Sequence, residues 1–164
     1  MILDRILEHK KAEIRHKNSR GYLADLKTRI RDAGPTLGFA VNLDARRTRT
    51  RPALIAEVKK ASPSLGLLRP EFEQRFEPVA IAEAYREHGA AAVSVLTDKE
   101  FFQGSLEYLS DVKRKVGLPA LNKEFMVADI QFYEARAYGA DAVLLIVAGL
   151  EKRQLIDFSA LAKE

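Results

Sequence analysis

Leu54-Ile55-Ala56-Glu57-Val58-Lys59-Lys60-Ala61-Ser62-Pro63-Ser64 opens as an apolar run and closes in a turn. Successive side chains on a strand point to opposite faces, so Ile55, Glu57 and Lys59 share one face. Placing an acid and a base beside apolar neighbours is costly unless the two are well paired. A strand that carries both charges on one face therefore implies a use for them. The turn at Ser62-Pro63-Ser64 ends the strand and offers hydroxyls just beyond it.

Outward from this stretch the chain keeps a regular rhythm. Residues 91–97 (Ala-Ala-Val-Ser-Val-Leu-Thr), 119–125 (Pro-Ala-Leu-Asn-Lys-Glu-Phe) and 142–147 (Ala-Val-Leu-Leu-Ile-Val) read as further strands. Helices are expected near 78–88, 105–115 and 129–138, and from about 151. Gly89, Gly117 and Gly139 fall where each helix should end before the next strand. Strands apolar on both faces, alternating with helices, indicate an α/β fold with a parallel sheet. Upstream, Ile2, Leu3, Ile6 and Leu7 mark a helix over 2–16. Leu23, Leu26 and Ile30 mark another over 22–33, stopped by Gly34-Pro35. Residues 35–52 read as a less regular stretch. Residues 1–52 thus form a helical extension, and 53–164 supply four βα units.

An open doubly wound sheet and part of a (β/α)₈ barrel both fit this rhythm. No Gly-rich phosphate loop follows the first strand, so the dinucleotide-binding fingerprint is missing. Polar residues cluster instead at the C-terminal ends of several strands, where barrel enzymes place their chemistry. The pattern favours a partial TIM (β/α)₈ barrel.

The 164 residues are 47% hydrophobic and 30% charged, as in a globular domain with a real core. The net charge of +4 suits anionic small molecules and is weak support for nucleic acid. The basic run Arg46, Arg47, Arg49, Arg51 lacks interleaved aromatics and reads as a solvated loop. The absence of cysteine removes disulfides and thiolate chemistry, and fits a reducing cytoplasm. The N-terminus is charged too early for a signal peptide, and no apolar stretch approaches the ~20 residues that span a bilayer. His9, His16 and His88 fall on helices without metal-ligand spacing and read as surface or helix-end residues.

On the third strand Leu121, Lys123 and Phe125 share a face. If this face and that of Ile55, Glu57 and Lys59 both point into a barrel, Lys59 and Lys123 converge near its mouth, with Glu57 between or beside them. A lysine poised nearer neutrality by desolvation or a second cation can serve as a general acid while its partner holds a carboxylate or phosphate. Phe125 and the Phe101-Phe102 pair offer an apolar wall for an aromatic ring. The plainer alternative is a structural Glu57–Lys59 ion pair, a snorkelling lysine and ordinary core phenylalanines. Gln103-Gly104-Ser105 reads as a turn and helix start, with Ser105 a candidate cap.

At these residues the chain resembles the indole-3-glycerol phosphate synthase family. The resemblance lies in Ile55-Ala56-Glu57-Val58-Lys59-Lys60-Ala61-Ser62-Pro63-Ser64, Ser94-Val95-Leu96-Thr97-Asp98, Phe101-Phe102-Gln103-Gly104-Ser105, Lys123-Glu124-Phe125 and Gly139-Ala140-Asp141-Ala142-Val143-Leu144-Leu145-Ile146. It extends over essentially the whole chain. It implies a carboxy-lyase of tryptophan biosynthesis that converts 1-(2-carboxyphenylamino)-1-deoxyribulose 5-phosphate to indole-3-glycerol phosphate, releasing CO₂ and water, with no metal or organic cofactor. It also implies that Lys123 is the general acid, that Lys59 binds the substrate carboxylate, and that Glu57 orders the two lysines. Ser62 would lie in the phosphate-side loop, with Phe102, Phe125 and Leu144 around the anthranilate ring. Glu124 stands where Asp is common, at a position facing away from the pocket.

A whole barrel needs about 250 residues, so the expectation is one half of an active site. The family's remaining acid–base residues and most of its phosphate cradle would lie on later strands. The open edges and inner face would be covered by a C-terminal half-barrel, by self-association or by aggregation. Two other readings stand beside this one: another phosphate-binding barrel enzyme, and a non-catalytic half-barrel module. The inward Glu57-x-Lys59 with Lys123 argues against the former.

Overall fold

The quoted stretch forms the first strand, β1 (Ile55–Val58), in a computed structural model describing residues 1–17 and 19–164. β1 pairs in parallel with β4 (Ala92–Leu96), β4 with β5 (Ala120–Lys123), and β5 with β6 (Ala142–Val143). Between β1 and β4 a small antiparallel hairpin joins β2 (Ala61–Ser62) to β3 (Gly66–Leu67). The sheet order β1-β4-β5-β6 follows the chain without reversal.

The crossovers are α4 (Pro78–Glu87), α6 (Leu106–Val116) and α7 (Ile130–Ala137), and α8 (Lys152–Leu161) follows β6. All four contribute to one core against a single sheet face, through Ala82, Leu109, Val112, Val116, Phe132, Ala135 and Phe158 beside Val58, Val93 and Val95. Helices on one side of a sequentially ordered parallel sheet make a partial (β/α)₈ barrel; a doubly wound sheet would carry them on both.

α6 shows why these segments form. Ser105 caps it by accepting from the Glu107 N–H, and Lys113, Arg114 and Lys115 complement the dipole of its last turn. Leu109, Val112 and Val116 fall on one stripe against the sheet, each at most 2% exposed. Burying each such side chain contributes roughly 1.5–3 kcal/mol. Gly117, at φ 72°, ends the helix in a left-handed conformation that a side chain would disfavour.

The extension begins with α1 (Ile2–Lys17) and α2 (Arg20–Asp32). Ile14 of α1 and Leu26 of α2 pack with Ile130 of α7 in a second apolar cluster. The stretch 35–52, expected to be irregular, holds a third helix, α3 (Phe39–Arg46). Its Asn42 side chain donates to the Ala91 carbonyl at 2.5 Å, an anchor that no local pattern announces. Arg46, Arg47, Arg49 and Arg51 are exposed, as a solvated run should be.

Three strand boundaries are tighter than the apolar runs suggested. β1 stops at Val58 and β5 at Lys123, so Lys59 and Phe125 stand just beyond their strands. The apolar run 142–147 pairs only at Ala142 and Val143 and then turns through a 3₁₀ segment, Val147–Gly149. β6 is an edge strand paired on one side only, so no second neighbour extends its ladder.

Candidate active site

Glu57 sits in the middle of β1, and its two carboxylate oxygens go separate ways. Oε1 accepts from Lys59 Nζ at 2.9 Å, and Oε2 accepts from Lys123 Nζ at 2.7 Å. The Ser94 hydroxyl of β4 donates to the same Oε2 at 3.3 Å. Register explains the convergence: Glu57 lies opposite Ser94, and Leu96 lies opposite Lys123, so three neighbouring strands present one face.

The three charged side chains are about a third exposed: Glu57 29%, Lys59 31% and Lys123 33%. Pairs so open contribute only about 0–1 kcal/mol to stability, so the sequence expectation of a costly buried pair is softened. Partial burial pushes the Glu57 carboxyl up, but hydrogen bonds and charge from Lys123 and Lys59 outweigh it and hold the group below the usual carboxylate range. A permanent anion thus separates two ammonium groups that remain reachable from solvent.

The aromatic wall forms in part. Asp98 caps α5 (Lys99–Phe102) by accepting from the Phe101 N–H at 2.7 Å. That helix holds Phe102 with its ring centroid 5.9 Å from that of Phe125. Phe101 turns elsewhere and meets the His9 ring of α1 edge-on at 5.6 Å, so it does not join the wall. Leu144 is half-buried and alternates with Val143 and Leu145, which pack into the core on the helix side. Leu144 therefore lies toward the inner face.

Ser62 lies on the hairpin strand β2, opposite Gly66. Its hydroxyl oxygen is buried without a hydrogen-bond partner among the described residues, a group left open to accept or donate. Gly104 holds the α5–α6 turn against β4: a Cβ there would lie 2.3 Å from the Leu96 carbonyl oxygen. Only glycine fits such an approach.

Sequence reasoning assigned no role to Ser94, Asp98 or Lys10. The one serine in an otherwise apolar strand was a signal for Ser94. Lys10 occupies the stripe of Ile6 and Ile14, where an apolar residue is expected, and it is 2% exposed. A cleft of about 570 Å³ lies away from Lys123, beneath α1, and is lined by Asn122 and Glu124 of the opposite parity. Among the described residues no cluster of acidic and histidine side chains is placed to hold a metal ion. None of the described helices is long and apolar enough to cross a membrane.

The indole-3-glycerol phosphate synthase family model matches residues 3–164. The indole-3-glycerol phosphate synthase of Neisseria meningitidis serogroup B is 45% identical over 163 residues, covering 99% of this chain and 61% of the relative. Those of Acaryochloris marina and Polaromonas sp. are 48% and 47% identical, covering 99% and 98% of this chain and 52% and 60% of the relatives. The chain spans about three-fifths of the length of most such relatives.

Proposed function

The chain belongs to the indole-3-glycerol phosphate synthase family, and from that premise we propose that it supplies the acid-bearing half of a carboxy-lyase site in tryptophan biosynthesis. The substrate is 1-(2-carboxyphenylamino)-1-deoxyribulose 5-phosphate, and the products are indole-3-glycerol phosphate, CO₂ and water. Residues 1–52 form the helical extension and 53–164 the first half of the barrel. The setting is the cytoplasm. The observation that carries the reading is the Glu57 carboxylate held between Lys59 and Lys123.

Closing a ring onto a ketone carbon leaves the former carbonyl oxygen in need of a proton, which must come from a positioned acid. Lys123 is that acid. Its ammonium is oriented by Glu57 Oε2 at 2.7 Å and is open enough to reach a bound ligand. Lys59, on the other oxygen of Glu57, takes the substrate carboxylate that is later lost as CO₂. Glu57 fixes the spacing of the two cations and stays anionic, because both lysines keep its carboxyl low. Phe102, Phe125 and Leu144 face the aryl ring, and the unpartnered Ser62 hydroxyl serves the phosphate side. This chemistry asks for no metal or organic cofactor.

A C-terminal half-barrel completes the site by closing the open edges of β1 and β6. A second reading, a non-catalytic half-barrel that self-associates, draws on the exposed Leu54 and Ile55 at the β1 edge. Indole fluorescence during turnover separates the two. Activity that appears when a C-terminal half is added to residues 1–164, and that Lys123→Ala abolishes without loss of fold, is the expected result. Survival of turnover in Lys123→Ala would remove Lys123 as the acid. No turnover in any combination would favour the non-catalytic module.

A further inference from the structure

Lys10 is a fully buried cation on the third turn of α1, reached by three carboxylates from three parts of the chain. Its Nζ lies 2.8 Å from Glu13 on its own helix, 2.9 Å from Asp98 after β4, and 3.3 Å from Glu124 after β5. The latter two acids each hold a piece of backbone beside the reacting groups. Asp98 accepts from the Phe101 N–H at 2.7 Å and so caps the short helix carrying Phe102. Glu124 accepts from the Phe125 N–H at 2.8 Å through one oxygen, while the other faces Lys10 and the Thr97 hydroxyl. Glu124 follows Lys123 directly, so its tether sets where β5 ends.

We propose that Lys10, from outside the barrel, is a positioning residue for the reaction, drawing the turns after β4 and β5 to one point and thereby fixing Lys123, Phe102 and Phe125 relative to each other. The role rests on the proposed function. Docking of α1 alone would not require a charge here. Ile6 and Ile14 flank Lys10 on the same stripe, and an apolar side chain would pack between them without desolvating an ammonium. A cation is needed only because two carboxylates, each already bonded to a backbone N–H, must be held together. α1 has a second clamp that shares Glu13 with Lys10 but does not reach the strand ends: Lys17 pairs with the other oxygen of Glu13 at 2.8 Å and with Glu134 of α7 at 3.3 Å.

The contrast between the two lysines supplies the test, in the enzyme reconstituted with a C-terminal half-barrel. Lys10→Met keeps the length and apolar stem of the side chain and removes its charge. Because displacement of an acid by about 1 Å can cost ~100-fold, kcat should fall by about 10- to 100-fold, with a smaller change in KM. Amide exchange at Phe101 and Phe125 should quicken together. Lys17→Met, which loosens the same helix elsewhere, should leave kcat within about twofold of the parent. If Lys10→Met does not fold, Glu124→Gln carries the test, since it keeps the acceptor for the Phe125 N–H and loses the charge facing Lys10. A parent enzyme that turns over while Lys10→Met (or that substitute) retains its kcat overturns the role of Lys10 alone. Equal losses of kcat in the Lys10 and Lys17 variants reduce Lys10 to a docking contact and overturn it too. Absence of turnover in the parent refutes the proposed function, and this role with it.

Discussion

Glu124→Gln should abolish a pH dependence of stability that one buried carboxyl builds into the fold. The Glu124 side chain is 11% exposed. Burial pushes its carboxyl up; Lys10 and the Phe125 N–H pull it down, and Asp98 adds to the rise, leaving it at about 7 against an ordinary 4.5. Between those values the folded chain holds a proton that the unfolded chain has released. Stability therefore falls as pH rises through that window. At ~1.4 kcal/mol per pH unit, the gap amounts to about 3 kcal/mol. The charged neighbours on α1 and after β4 are Lys10, Glu13 and Asp98. Glu13 does not blur the window, because Lys10 and Lys17 overcome its own burial and hold it near 2. Glutamine copies the protonated form and cannot titrate. Urea unfolding of parent and variant from pH 4.5 to 8, followed by far-UV circular dichroism, isolates the difference. The variant should gain about 3 kcal/mol relative to the parent across the range, at unchanged m. A difference flat to within about 0.5 kcal/mol would refute the account of Glu124 as a carboxyl that burial holds above its ordinary range.

Three further outcomes follow from the same contacts. Gly104→Ala should cost about 1–3 kcal/mol or more in urea unfolding, because its Cβ would sit 2.3 Å from the Leu96 carbonyl oxygen; an unchanged midpoint would contradict that approach. The Asp141 side chain is fully buried and accepts from the Leu37 N–H at 2.7 Å, the Ala120 N–H at 2.8 Å and Lys113 Nζ at 2.5 Å. Asp141→Ala should therefore cost about 3–5 kcal/mol and lower Tm by about 10 °C, read by thermal circular dichroism, and a loss under about 1 kcal/mol would show that these bonds do not hold the extension to β5. On size-exclusion chromatography residues 1–164 alone should elute above 18.4 kDa, because the edge of β1 is open and apolar; a well-behaved monomer would refute the need to cover that face.

Much of the site was legible because strands have a two-residue period. Parity grouped Glu57 with Lys59 on one strand and Lys123 with Leu121 on another, and a barrel with both faces inward would bring the three charges together; strand register does so. The caps at Gly117 and Ser105 were equally local, since a helix ends where a left-handed residue stands and begins where a hydroxyl meets a free N–H. α3 escaped because Asn42 is held by a carbonyl far along the chain rather than by its own periodicity. The end of β6 escaped because an apolar run continues past the last strand residue with a partner. Phe101 and Phe102 read as a pair, yet their helix sends one ring to His9 and the other to Phe125.

By itself, then, the sequence determined the alternation of strands and helices, the face each charged strand residue takes, and the family. These depend on short-range periodicity and on motifs a few residues long. The tertiary structure decided that one carboxylate would bridge two lysines from different strands, and that a lysine near the N-terminus would meet an acid 114 residues away. Strand register and helix docking set those distances, and both arise from packing between segments whose separation in sequence carries no information about their separation in space.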